Sequence, residues 1–157
     1  MMYSTALWSD GEGGVRGDLT QGPTPNDLEA AQQRKIHHVL KTARVKPGDR
    51  LLEFGTGWGG LAIEVRNLSP PILPTFSRRS NAQAAASYGC EVDTLTLSVE
   101  QKELAEERVR ERGLEGRVRV HLMDYRDIPP EFENAFDAFV SIEMLEHVGS
   151  KVCLVWR

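Results

Sequence analysis

The run Leu51-Leu52-Glu53-Phe54-Gly55-Thr56-Gly57-Trp58-Gly59-Gly60 constrains this chain more than any other. An apolar segment ends in an acidic residue, and four glycines then fall within six positions. Glycine supplies backbone conformations and close approaches that side chains forbid, so this density predicts a strand turning sharply into a helix around a ligand. "DRLLEF" is apolar on both faces, the pattern of a central parallel strand.

The rest of the chain supplies the partners such a strand needs. Residues 1–24 are rich in Gly, Ser, Thr and Asp and read as loop, with an aromatic pair at Tyr3 and Trp8. A helix is expected next, capped by Thr24 with Pro25 at its first position and Leu28, Ala31, Ile36, Val39 and Leu40 on one face. "CEVDTLTL" reads as a second strand, and Ser98-Val99-Glu100-Gln101 matches a capping box opening a charged helix over 98–112. In "RVRVHL", Val118, Val120 and Leu122 should face inward and Arg117, Arg119 and His121 outward, which suits an edge strand. "FDAFVSI" is apolar on both faces and should be central. The alternation gives an α/β fold, a Rossmann-like parallel sheet in the order 3-2-1-4, with the glycine loop at the switch point where ligands bind.

Gly55, Gly57 and Gly60 satisfy G-x-G-x-x-G, which raises a nicotinamide dinucleotide as a first candidate. Two features oppose it. The second strand ends Leu95-Thr96-Leu97 without the acidic residue a ribose would need, Asp93 lying further back, and Trp58 sets a bulky ring where a pyrophosphate would approach. The grouping Glu53-x-Gly55-x-Gly57-x-Gly59 instead suits a cationic ligand without phosphates, such as S-adenosylmethionine. The formal net charge of −4 argues against a nucleic-acid partner. Two cysteines, Cys90 and Cys153, do not make a disulfide framework. With no apolar run of membrane-spanning length and no signal-peptide pattern, a cytoplasmic protein is expected.

Five segments, "MMYSTALW", "LLEFGTGWGGLAIE", "YGCEVDTLTLSVEQ", "VHLMDYRD" and "FDAFVSIEMLEHVG", together resemble the cyclopropane-fatty-acyl-phospholipid synthases and mycolic-acid cyclopropane synthases. The resemblance implies an S-adenosylmethionine-dependent methyltransferase acting on the double bond of a phospholipid acyl chain at a membrane surface. A bound bicarbonate would take the proton that lets the ring close. It implies that Tyr3 and Ser4 lie near the methionine end of the cofactor, with residues 51–59, among them Glu53, Gly55, Gly57 and Gly59, around it. Thr96, Leu97 and Gln101 would approach the ribose, Tyr125 and Arg126 the adenine, and Ile142 the same pocket. Glu146 matches the carboxylate that positions bicarbonate, and Thr5 stands where many members carry a cysteine. Gln101 also has a purely structural reading in the capping box, and Arg126 one as a solvated pair with Asp127. His147 reads as structural. A C-methyltransferase of sphingolipid or another small molecule, and a non-catalytic cofactor-binding fragment, are the alternatives.

One segment breaks the pattern. Val65–Gln83 carries Pro70, Pro71 and Pro74 where the family pattern runs on as one helix, and proline breaks a helix interior. Without it, "GGLAIE" would join "AAASYGCEVD" as a continuous amphipathic helix. Valine codons begin GT and one glutamine codon ends AG, so the segment reads as a translated intron, the alternative being a genuine inserted loop. The expected organisation is therefore a cofactor-covering segment over 1–24, an incomplete methyltransferase domain over 25–151 interrupted at 65–83, and an aberrant tail over 152–157. Such a fragment is expected to be inactive alone.

Overall fold

The computed structural model describes residues 4–12, 24–67, 89–144 and 147–148. Tyr3, Glu146, most of the Val65–Gln83 segment and the tail from 152 lie outside the described residues. The elements are α1 (Asp27–Thr42), β1 (Arg50–Phe54), α2 (Gly60–Asn67), β2 (Glu91–Thr96), α3 (Val99–Glu111), β3 (Val118–Leu122) and β4 (Ala138–Ser141). The four strands form one parallel sheet in the order β3-β2-β1-β4. This is the expected order, and it puts the carboxyl end of β1 at the point where chain connections diverge to either side.

Strand alternation divides the core. Leu51, Val92, Val118, Val120 and Val140 face Ile36 and Leu40 of α1, Leu61 and Ile63 of α2, and Ala105 and Val109 of α3. On the other face, Leu52, Phe54 and Leu95 pack under Met123, Tyr125, Ile128, Phe132 and Phe136 from the β3–β4 connection, with Met144 beyond β4. Burying a large apolar side chain contributes about 1.5–3 kcal/mol, so the near-complete enclosure of Ile36, Leu40, Leu51, Leu52 and Phe54 fixes the register of β1.

Several local expectations are corrected. Thr24 does not cap α1: the cap is Asn26, in a left-handed conformation (φ 66°) with no side-chain bond. Thr24 instead enters a turn in which its N–H donates to the Asp27 carboxylate at 2.7 Å and its carbonyl accepts from Asp27 N at 3.2 Å. Leu28 is exposed, because it lies in the first turn, ahead of the first buried position, Ala31. Leu122 is also exposed, at the outer end of β3. The capping box is half made. Ser98 Oγ accepts from Gln101 N at 3.1 Å, but Ser98 N–H goes to Thr96 Oγ1 at 3.2 Å. β4 pairs with β1 on one side and, among the described residues, has no strand on the other.

Arg119 and His121 are not turned to solvent as expected. Both meet Asp93 on β2, where Arg119 Nε and His121 Nε2 each approach Oδ1 at 2.8 Å and Arg119 Nη2 approaches Oδ2 at 2.9 Å. Arg119 also bonds Glu91 at 2.8 Å, and Arg50 of β1 reaches Asp93 at 3.4 Å. One buried carboxylate thus ties three parallel strands. Burial pushes its pKa up, but the hydrogen bonds from His121 and Arg119 outweigh this and hold it well below the ordinary 3.8. A depressed carboxylate pKa stabilises above the unfolded value and loses that stability as pH falls. Asp93→Asn should therefore cost about 2–3 kcal/mol at pH 7, below the full cost of breaking a dry ion pair because Arg119 is partly exposed. Denaturant titrations at pH 7 and in acid measure this, and the gap between wild type and variant should narrow below about pH 4.

Candidate functional site

The carboxyl ends of β1, β2 and β4 open onto two adjoining cavities. The first, about 270 Å³, lies over the glycine loop and is lined by Ser4, Lys35, Glu53, Gly55, Thr56, Gly57, Trp58, Gly60, Gln101, Ile142, Glu143 and Met144, among others. The second, about 310 Å³, is more apolar and is lined by Phe54, Leu95, Thr96, Leu97, Met123, Tyr125, His147 and Val148. Gly55, Gln101 and Met144 line both, so they mark the join.

Glu53 is the buried acidic residue in the first cavity's lining. It ends a chain of hydroxyls: Thr94 Oγ1 donates to Glu53 Oε2 at 2.7 Å, and Thr56 and Thr94 hydroxyls lie 2.7 Å apart. With Thr94's proton committed to Glu53, Thr56 is the donor of the second bond. Burial pushes the Glu53 carboxyl up to about 8, the Thr94 bond pulling the other way. The group is therefore neutral at pH 7 in the ligand-free protein.

The loop is shaped by its hydrogen bonds and its glycines. Gly55 N and Thr56 N both donate to Leu95 O, at 3.1 and 2.9 Å, which fastens the loop to β2. Gly57 has φ 50°, and a Cβ there would meet nothing within 4 Å, because the residue faces the first cavity. Gly59 serves packing. A Cβ there would stand 3.2 Å from Ala105 Cβ, so its absence lets α2 start close against α3.

The expected site residues separate clearly. Ser4, Glu53, Gly55, Gly57, Gln101 and Ile142 line the first cavity, while Thr96, Leu97 and Tyr125 line the second. Thr96 Oγ1 donates to Gln101 Oε1 at 2.8 Å, joining two of them at the cavity boundary. Gly59 and Arg126 line neither cavity. Arg126 turns outward and pairs with Asp124, Nε to Oδ1 at 2.9 Å, in place of the expected Asp127. That pairing draws Asp124 down to about 2. Sequence reasoning missed Thr94, Lys35 and Glu143. Glu143, which lines the first cavity, has a left-handed backbone (φ 52°), unusual for a non-glycine residue, and accepts Thr5 N–H at 2.8 Å. Gln32 Nε2 donates to Ser4 O at 2.8 Å, so α1 and Glu143 together hold the N-terminal segment beside the cavity.

The chain matches the mycolic acid cyclopropane synthetase family model over residues 1–68 and 79–155. It is 38% identical over 151 residues to the tuberculostearic acid methyltransferase UfaA1 of Mycobacterium tuberculosis, covering 95% of this chain and 28% of that protein. It is 34% identical over 151 residues to the cyclopropane-fatty-acyl-phospholipid synthase of Escherichia coli K12, covering 96% and 29%. The chain thus spans less than a third of either relative. Among solved structures, coclaurine N-methyltransferase, bound to N-methylheliamine and SAH, is similar at TM-score 0.61 and 27% identity over 82% of this chain and 31% of that one. The mycolic acid cyclopropane synthase CmaA1, complexed with SAH and CTAB, shares the fold at TM-score 0.61 and 24% identity over 96% and 40%.

The buried carboxyl gives the site a pH signature. Glu53 titrates near its ordinary 4.5 when unfolded and near 8 when folded, so the native state holds a proton that the unfolded chain loses. Its contribution to stability is complete below about pH 4.5 and is lost as pH rises to about 8. In ligand-free protein, Glu53→Gln should remove that loss. Melting temperatures across pH 5–9 should fall for wild type and stay flatter for the variant, a difference on the order of 3 kcal/mol at the alkaline end.

Proposed function

Because the chain belongs to the mycolic acid cyclopropane synthetase family, we propose that it forms the cofactor-binding part of an S-adenosylmethionine-dependent enzyme that modifies lipid. The transfer proposed is of a methyl group to the double bond of a phospholipid acyl chain, followed by closure to a cyclopropane. The observation that carries this reading is the buried, hydroxyl-bonded Glu53 under a glycine loop that opens into a two-part cavity.

The residues present fit the cofactor. The first cavity offers carboxyl groups to a cation, the junction at Gln101 and Thr96 offers polar atoms to a ribose, and the second offers apolar walls and the Tyr125 ring to a base. When bound, the cofactor would supply an activated methyl group. Glu53 would become ionised beside its positive charge, while Thr94 and Thr56 keep the carboxylate hydrogen-bonded away from water. Tyr3 and Ser4 are proposed to cover its methionine end. Arg126 would serve only through its backbone, because its side chain is engaged by Asp124.

Bicarbonate enters the proposal through Glu146, as the group that would accept the proton lost in ring closure. Thr5, which the resemblance sets at the same place, gives its N–H to Glu143. The lipid would be met peripherally, at the cytoplasmic surface of a membrane. A second reading, methylation without ring closure, is favoured by the similarity to a tuberculostearic acid methyltransferase. The Val65–Gln83 segment is proposed as a translated intron. The family match skips residues 69–78 within it, and spliced transcripts joining Glu64 to Ala84 would establish the point, whereas peptides from the segment would refute it.

Calorimetric titration with S-adenosylmethionine and with NAD tests the cofactor. Saturable binding of the first and none of the second is expected, and Gly57→Val should abolish it by filling the cavity at the loop. Preference for NAD, or unchanged affinity in folded Gly57→Val, would contradict the assignment. With unsaturated phospholipid vesicles, ring closure and methylation that ends in an alkene each add CH2 and share a mass, so proton NMR, cyclopropane against olefinic protons, separates them; a saturated methyl product, two hydrogens heavier, would require an added hydride donor.

A further inference from the structure

One basic side chain of the highly charged helix α3 reaches into the fold. Arg108 is half-buried, lines neither cavity, and donates from Nη1 to the Trp58 carbonyl at 2.8 Å. It completes a stripe of Gln101, Ala105 and Arg108 on one face of α3, spaced i, i+4, i+7. Each member meets the ligand-binding end of the sheet. Gln101 bonds Thr96 at the cavity boundary. Ala105 is the surface Gly59 rests on, since a Cβ at Gly59 would stand 3.2 Å from the Ala105 Cβ. Arg108 holds the residue that lies between two left-handed glycines, Gly57 (φ 50°) and Gly59 (φ 78°).

We propose that Arg108 is a positioning residue for the glycine loop: it clamps the peptide between Trp58 and Gly59 and so keeps Gly57 and Trp58 in the shape that receives the ligand. The inference rests on the cofactor reading above for the ligand's identity, and it places a determinant of affinity outside the cavity lining. Glycine adopts positive and negative φ about equally readily, so Gly57 and Gly59 do not by themselves hold the intervening peptide one way round. Other groups fix it at both ends. Gly59 N–H donates to Thr56 O at 2.9 Å, and the Trp58 carbonyl takes the guanidinium. The bond that opens α2, from Ile63 N–H to Gly59 O at 3.1 Å, begins one residue later, so helix formation does not orient the Trp58 carbonyl. A guanidinium suits this place because it stays charged, and a charge-assisted bond is roughly twice as strong as a neutral one. Without it the peptide is free to rotate, which would move the Trp58 ring at the first cavity and loosen Gly59 from Ala105.

The test uses the full chain and reads loop and ligand separately. Amide hydrogen exchange without ligand compares wild type with Arg108→Met, Arg108→Lys and, as a control at an exposed position of the same helix, Arg110→Met. In Arg108→Met the amides of Gly57, Trp58, Gly59 and Gly60 should exchange about tenfold faster, the scale of one charge-assisted bond, while those of Ala105 and Val109 stay unchanged. Calorimetry with S-adenosylmethionine should show affinity weakened by a similar factor. Arg108→Lys, which keeps a cationic donor, should recover part of both effects, and Arg110→Met should match wild type. A merely structural arginine would quicken exchange in the loop and in α3 alike, or leave affinity unchanged in the folded variant, and either result overturns the proposal. Failure of wild type to bind S-adenosylmethionine would overturn the cofactor reading alone, the ligand-free exchange then deciding whether Arg108 holds the loop. If Arg108→Met does not fold, the same comparisons in Arg108→Leu decide.

Discussion

The hydrogen bond from Thr94 to Glu53 is the contact around which the ligand-binding end of this sheet is organised. It joins the last turns of β1 and β2, and through Thr56 it extends into the loop that follows β1. A carboxyl in an apolar core is costly unless it is hydrogen-bonded or neutral, and here it is both. The remainder of the site follows from that choice. Because Glu53 is neutral without ligand, the first cavity can be lined mostly by backbone and apolar groups. Because it can ionise, a cation entering the cavity gains a partner that water cannot reach.

A second carboxylate, Asp93, uses the opposite strategy on the other face of the same sheet. It is charged, and three basic side chains from β1 and β3 surround it. The pair illustrates how burial alone does not set ionisation: Glu53 has hydroxyl partners and is raised, Asp93 has cationic partners and is lowered. One residue is available for ligand chemistry and the other is spent on strand register.

Much of the frame was legible in the sequence. The apolar run of β1, the glycine spacing and the Ser98 cap are local signals, and local signals set local structure. The sheet order followed from polarity, since the mixed character of β3 excluded a central position. What stayed hidden depends on register between strands distant in the chain. Nothing near Asp93 shows that Arg119 and His121 will stand opposite it, because that pairing exists only once Asp93 and Arg119 are aligned across parallel strands. Thr94 and Lys35 were missed for the same reason: each is unremarkable in its own segment and gains a role from Glu53 or Ser4 across the fold. Gln101 carried two readings, a neighbour of the ribose and the partner in a capping box, and spacing cannot choose between them; its backbone N–H meets the Ser98 cap while its side chain bonds Thr96 at the cavity boundary.

The central claim is that Glu53 is protonated in the free protein and surrenders its proton to accommodate a cationic ligand. Titration calorimetry with S-adenosylmethionine near pH 7, repeated in buffers of different ionisation enthalpy, counts the protons exchanged on binding. The account predicts net proton release approaching one per ligand in wild type and none attributable to this site in Glu53→Gln. Binding with no proton release in wild type, or the same release in both proteins, would contradict it.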